Sequence, residues 1–317
     1  MRINKSYIYR RSLKLASFYT VTESINNYVK NTEGKGKAKK LTIFGKGIMA
    51  GAMIAMGAAA SSVAAHNISN VGIARLISGM VFPVGLMMVI LLGAELFTGD
   101  CMMLVGVTRK VISPLKCLEV LALVYIGNFV GSLLMAVLMY FSGQFDYTSG
   151  LLGAYTIKIA LGKANISFGA GVASGILCNI LVCAAVLMAM CAKDVIGKVM
   201  VSFFVILAFV TSGFEHCVAN MYYIAAGIIA KLNPEYVEVA KSTYGYMDSQ
   251  LATLNIKNFL VTNLVPVTIG NIIGGALLFG IPVYYLSNAK ANNTNEEIQE
   301  DNNYAASNIR RIAGNGR

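Results

Sequence analysis

An all-α polytopic membrane protein is what this sequence predicts: six transmembrane helices as two inverted three-helix repeats, with the second and fifth helices broken. Three observations carry that reading. Of 317 residues, 56% are hydrophobic and 13% charged, with a mean hydropathy of +0.63, whereas a soluble domain carries about 25% charged residues. Six apolar stretches each come near or beyond the ~20 residues that a bilayer core requires. The two halves of the chain also share three sets of matched residues in the same order.

The chain opens with a basic segment, 1–45, that holds ten of the 26 Lys and Arg. Within it, residues 16–33 read as a short amphipathic helix on the cytoplasmic face, either an anchor on anionic lipid or a lid. A basic linker from Gly34 to Lys40 follows. No apolar core of signal-peptide length precedes Lys40, so the first apolar stretch is expected to be a retained span. The spans lie at about 46–66, 78–97 continuing to 107, 118–141, 166–191, 199–230 with an interruption, and 257–286. Residues 46–286 then form the membrane domain, with repeats at about 46–141 and 166–286. The tail, 287–317, has eight Asn and mixed charge, the composition of a disordered segment.

Lys and Arg number 19 in segments 1–45, 108–117, 191–198 and 287–317, against five in 67–77, 142–165 and 231–256. The positive-inside rule therefore puts both termini in the cytoplasm. The net charge of +11 belongs to tails and loops beside a bilayer and does not point to nucleic acid. The six Cys include no CxxC pair and sit mostly in apolar stretches, where buried free thiols are expected.

The repeat is read from three matches. Tyr125-Ile-Gly-Asn-Phe-Val-Gly in the third span lines up with Thr268-Ile-Gly-Asn-Ile-Ile-Gly in the sixth. Gly47xxxGly51 in the first span pairs with Gly171xxxGly175 in the fourth, and the second and fifth spans are interrupted at similar depth. Three spans per half make the second copy enter the membrane from the opposite side, an architecture that places a substrate path between the halves near the midplane. The small-xxx-small pairs themselves serve close helix packing.

The interruptions are Gly93-Ala-Glu-Leu-Phe-Thr-Gly-Asp100 and Thr211-Ser-Gly-Phe-Glu-His-Cys-Val-Ala-Asn-Met221. An acid inside a span costs about 3 kcal/mol or more, so Glu95, Asp100 and Glu215 are expected to face the protein. Thr98, Asp100 and Ser212 are candidate caps for a restarting helix. Asn128, Asn179, Asn220 and Asn271 can satisfy the backbone groups that a break exposes. His216 adjoins a break and Glu215, and titrates near neutral pH, which makes it a candidate functional group. Lys163, just before the fourth span, reads as a surface lysine unless the chain there dips into a vestibule.

At these residues the sequence resembles the formate/nitrite transporter family. Glu95-Leu-Phe-Thr-Gly99, Gly213-Phe-Glu-His216 with Ala219-Asn-Met221, and the Asn263 to Gly275 segment carry the resemblance, over roughly residues 16–286. It implies an aquaporin-like fold, a homopentamer with one pore per protomer in a bacterial plasma membrane, and small monovalent anions (formate, nitrite, hydrosulfide) and protons as partners beside the lipid. It also implies His216 as the central pore histidine with Thr98 opposite, and Lys163 as the lysine attracting anions at the outer vestibule. Leu96 and Phe97 match the loop constriction. Phe82, Leu86 and Phe209 match a cytoplasmic constriction, and Asn271 a polar pore residue. Gly99-Asp100 is closer to nitrite or hydrosulfide members than to formate ones.

Spacing agrees independently, with Phe82 and Leu86 four apart on one helical face and Phe209 seven before His216, about two turns. No cofactor, metal site or enzymatic motif is expected: there is no His-Glu-x-x-His, CxxC pair or Walker loop, and only two His are present. An aquaporin-like pore for small neutral solutes is the alternative. Against it, the paired Asn-Pro-Ala segments are absent.

Overall fold

A computed structural model describes residues 18–287; the expected tail beyond Ser287 therefore lies outside the described residues. The helices in chain order are α1 (Val21–Lys37), α2 (Lys40–Ala65), α3 (Val71–Leu92), α4 (Phe97–Thr108), α5 (Pro114–Phe141) and α6 (Leu151–Ala164). They continue with α7 (Phe168–Cys191), α8 (Val195–Ser212), α9 (Cys217–Ala230), α10 (Pro234–Tyr244), α11 (Asp248–Ala252) and α12 (Asn258–Ser287). Six of these, α2, α3, α5, α7, α8 and α12, are long and apolar enough to cross a membrane. α3, α5 and α8 begin earlier than hydropathy alone suggests and α7 two residues later, because their starts are set by caps. Asn70, Ser113, Ser167 and Asp194 each accept a backbone N–H in the first turn of α3, α5, α7 and α8.

Close helix packing makes the internal repeat visible. A Cβ on Gly131 would lie 2.1 Å from the Ile48 carbonyl oxygen and one on Gly127 2.7 Å from that of Phe44, so α5 sits backbone to backbone on α2. In the second half, a Cβ on Gly274 would meet Ile176 O at 2.3 Å and one on Gly270 would meet Val172 O at 2.2 Å, setting α12 on α7 in the same way. These contacts correct the glycine alignment. Gly47 packs on Val124 O and Gly175 on Val267 O, so Gly47 corresponds to Gly175, 128 positions on, and not to Gly171. The spacing of glycines alone was ambiguous by one helical turn.

The same register brings α1 onto α6, so each repeat carries a further helix ahead of its three spans. Neither was anticipated in this role. α1 is closed at its start by a Thr20–Glu23 capping box and runs through Gly34 and Gly36, so the expected basic linker is helical as far as Lys37. Nor does α1 rest only on lipid: it buries Ser24, Ile25, Tyr28, Val29 and Thr32 against the protein. Its start is tied down where Tyr19 N–H donates to Cys191 O at 2.7 Å and the Thr22 hydroxyl to Ser287 O at 3.3 Å. α6 occupies a stretch read from sequence as a connection, since its 14 residues fall short of a span.

α6 is held by α9 and α10. A Cβ on Gly227 would meet Ala160 Cβ at 2.1 Å, and one on Gly153 would meet the Tyr236 ring at 2.6 Å. The Tyr236 hydroxyl donates to Asp146; burial, and then that carboxylate, push the phenol up to about 12, so it stays a donor across the physiological range. All six Cys are free thiols, and all but Cys191 are buried. Large apolar side chains such as Leu118, Phe141 and Leu278 point outward, as a lipid-facing surface requires.

Candidate functional site

Two glycines end the helices that break. Gly93 (φ +67°) closes α3 and Gly213 (φ +73°) closes α8, a left-handed conformation that costs glycine least. Each is followed by three residues that turn the chain before α4 and α9 restart. The backbone freed there is recovered by two asparagines in matching fashion. Asn128 accepts from Phe97 N–H at 2.9 Å and donates to Gly47 O and Glu95 O. Asn271 accepts from Cys217 N–H at 2.9 Å and donates to Gly175 O and Glu215 O.

The caps proposed from sequence are thereby corrected. The N-cap positions are Leu96 and His216, not Thr98, Asp100 or Ser212. Thr98 and Asp100 already lie inside the first turn of α4, and Ser212 ends α8. Asn179 does serve backbone, donating to Thr98 O and Asn271 O at 3.1 and 2.6 Å. Asn220 serves side chains instead, donating to Glu215 Oε2 at 2.6 Å and to Asn263 Oδ1 at 2.8 Å.

Where the restarts face each other, Thr98 Oγ1 lies 2.9 Å from His216 Nε2, and both residues are buried. His216 Nδ1 accepts the Ala219 N–H at 3.0 Å, capping α9. An acceptor nitrogen carries no proton, so in this neutral imidazole the proton sits on Nε2 and is donated to Thr98. The positive ends of α4 and α9 converge on the same point.

A cavity lies on each side of this contact. One, about 800 Å³, is lined by Leu86, Leu96, Lys35, Lys46, Glu95 and Asp100 among others. The second, about 410 Å³, is lined by Phe82, Phe209, His216, Lys163 and Arg75 among others. Phe82 and Phe209 pack edge to face at 6.0 Å, and the Phe209 ring lies 5.9 Å from that of His216. The expected single constriction of Phe82, Leu86 and Phe209 is thus divided, with the two Phe on the Lys163 side and Leu86 with Leu96 on the other. The reason is local: α8 stops at Ser212, so Phe209 reaches His216 across the break and not along two regular turns. Phe97, buried with Leu96, lines neither cavity and packs edge to face on Tyr125 at 4.8 Å.

Lys163 does enter a vestibule, because α6 carries it inward. Its ammonium meets Glu215 Oε1 at 2.9 Å above the Tyr223 ring, and Asn263 donates to its carbonyl. Three partners of this site were not singled out from sequence: Lys35, Arg75 and Asn263. Lys35 Nζ lies 2.5 Å from both Glu95 and Asp100, and the register that matches Gly47 to Gly175 also matches Lys35 to Lys163. Counting from Gly171 leads to the exposed Lys39 instead. Arg75 donates to Ser212 O at 3.4 Å, putting a cation on the negative end of α8.

Residues 22–285 match the family model described as formate/nitrite transporter. The formate channel FocA of Haemophilus influenzae is 37% identical over 279 residues, covering 86% of this chain and 97% of that one. FocA of Escherichia coli is 35% identical over 217 residues, 68% of this chain and 75% of its own. Among solved structures, a pentameric formate channel with formate bound superposes with a TM-score of 0.69 at 32% identity, covering 78% of this chain and 97% of that one. An FNT family ion channel superposes with a TM-score of 0.68 at 27% identity, covering 84% and 99%. With two inverted repeats whose broken helices meet at Thr98 and His216, and with this match over most of its length, the chain belongs to the formate/nitrite transporter family.

Proposed function

We propose that the protein is a channel for small monovalent anions that are conjugate bases of weak acids (formate, nitrite or hydrosulfide), each crossing between the two cavities at the Thr98–His216 contact. Formate has the most support, since the relatives named above are formate channels. The pentameric neighbour supports a homopentamer, and the excess of Lys and Arg on the α1 side supports a bacterial plasma membrane topology with both termini cytoplasmic. The observation that carries the reading is the 2.9 Å contact of Thr98 with His216, buried between two vestibules that each hold a lysine.

A bare anion pays heavily to leave water. Lys35 and Lys163 attract it to either mouth, while Phe82, Leu86, Leu96 and Phe209 keep the approach apolar. At the centre His216 donates to Thr98, which leaves the threonine proton as the donor offered to the solute. For His216 to hand over a proton without becoming an imidazolate, it must first be protonated on Nδ1, the atom that accepts Ala219 N–H. That geometry supports His216 as a fixed donor orienting Thr98. The acid then takes up its proton from water at the mouth rather than from the imidazole.

In proteoliposomes, wild-type protein is expected to take up formate electroneutrally, faster as pH falls from about 8 to 5. Thr98→Val and His216→Phe are expected to lower that flux by about twofold to tenfold, since a hydrogen bond to the neutral acid is worth ~0.5–1.5 kcal/mol. Flux that carries net current would mean that the anion crosses charged, with Lys163 and His216 as fixed electrostatics. Osmotic swelling with a neutral solute and no formate uptake would replace this reading with the aquaporin-like one.

A further inference from the structure

The repeat supplies an internal reference for each residue at the two mouths, and the position five residues beyond the break glutamate differs in charge. Asp100 and Asn220 hold the same place: each is five residues beyond the break glutamate, Glu95 or Glu215, within the first helical turns after it. Both are buried, and each leaves one oxygen, Asp100 Oδ2 and Asn220 Oδ1, without a hydrogen-bond partner. The positions therefore match down to the unpaired oxygen, but one is a carboxylate and the other an amide.

The consequence falls on the lysines. Lys35 and Lys163 are equally enclosed, each with 18% of its side chain exposed. Lys163 faces one carboxylate, Glu215, whose second oxygen is taken up by the amide of Asn220. Lys35 is held at 2.5 Å by two carboxylates, Glu95 and Asp100. Lys46, where the second repeat has Ser174, adds a positive charge to the Lys35 mouth, whose cavity Lys30, Lys193 and Lys198 also line, as Arg75 and Lys158 line the other beside Lys163. The Lys46 ammonium is 3.6 Å from Glu95 and 43% exposed, so it meets water-screened solvent and does not release Lys35.

We propose that Asp100 weakens anion recruitment at the Lys35 mouth by holding Lys35 in a double ion pair, which Asn220 does not impose on Lys163. The proposal rests on the anion-channel reading above and assigns Asp100 as a positioning residue that acts through Lys35. Asp100 is also among the residues lining the 800 Å³ cavity, which puts its negative charge near the path of an anion. Asn220 presents no such charge to the other cavity.

The test is initial formate uptake against concentration in right-side-out and in inverted membrane vesicles, for wild type, Asp100→Asn and Asn220→Asp. Wild type gives the reference half-saturation at the Lys35 mouth. Asp100→Asn, which installs the second repeat's residue, is expected to lower that value by about fivefold, the weight of one unit charge at ~4 Å in a water-like medium, and to leave the opposite face unchanged. Asn220→Asp is expected to raise half-saturation at the Lys163 mouth alone, and it decides the matter by itself if Asp100→Asn does not fold. A merely structural role would change the amount of active protein, hence maximal flux in both vesicle types, and would not produce a one-sided shift. Unchanged half-saturation at the Lys35 mouth of Asp100→Asn, or a variant that shifts both mouths alike, overturns the role of Asp100 while leaving the channel reading intact. Wild-type vesicles that take up no formate from either side overturn both.

Discussion

Asn271→Leu is expected to abolish recovery of folded protein, and Asn128→Leu to do the same. Each amide holds one N–H and two carbonyls of a helix break: Cys217, Gly175 and Glu215 for Asn271, and Phe97, Gly47 and Glu95 for Asn128. Both residues are fully buried, so no water replaces the lost partners, and each orphaned group costs ~1–3 kcal/mol. Leucine is close in volume, which makes the loss one of hydrogen bonding and not of packing. Size-exclusion profile and thermal unfolding in detergent measure it. A leucine variant with the wild-type elution and melting midpoint would show that the breaks hold themselves. Asn271→Asp, buried as the neutral acid, keeps the acceptor for Cys217 N–H and one O–H donor for the two carbonyls, so its midpoint is expected to fall between those of wild type and Asn271→Leu.

Gly131→Leu and Gly274→Leu are expected to be as severe, for a steric reason. A Cβ alone would stand 2.1 Å from Ile48 O and 2.3 Å from Ile176 O, and backbone oxygens at a helix crossing have no rotamer with which to move away. Overpacking a core costs ~1–3 kcal/mol when side chains can adjust; here two whole helices must separate, which also displaces the asparagine that caps each break. Gly162→Ala serves as the control, since nothing lies within 4 Å of its added Cβ and alanine favours a helix. It is expected to elute and melt like wild type. A wild-type melting midpoint for Gly131→Leu would mean that α2 and α5 are not in the contact described.

How far the sequence reached follows from what each signal measures. Apolar run length located the six spans, because crossing a bilayer is a length requirement, and charged residues beside glycines marked both breaks, because an acid in lipid is too costly to be accidental. Run length was blind to α6, whose 14 residues are too few to cross a bilayer and pack on α9 and α10. The amphipathic pattern found α1 without settling what covers its apolar face, because hydropathy does not say whether the partner of an amphipathic helix is lipid or protein. Lys35 was lost among the ten basic residues of 1–45, since an ion pair across 60 residues leaves no local pattern. Phe82 and Leu86 share a helical face, as spacing required, yet they open onto different cavities because that face runs past the central barrier.

Taken alone, the sequence determined the membrane-spanning class, the two inverted repeats and the places where helices break, since these depend on hydropathy, charge cost and backbone freedom, all properties of short segments. Only the tertiary structure decided which groups complete the breaks and the mouths: the two asparagine caps, the nitrogen through which His216 meets Thr98, and the pairing of Lys35 with two carboxylates against the one that Lys163 has. Those assignments depend on the crossing of α2 with α5 and of α7 with α12, where distant residues come within hydrogen-bond reach. Hydrogen bonds are directional and act over about 3 Å, so no periodicity along the chain encodes them.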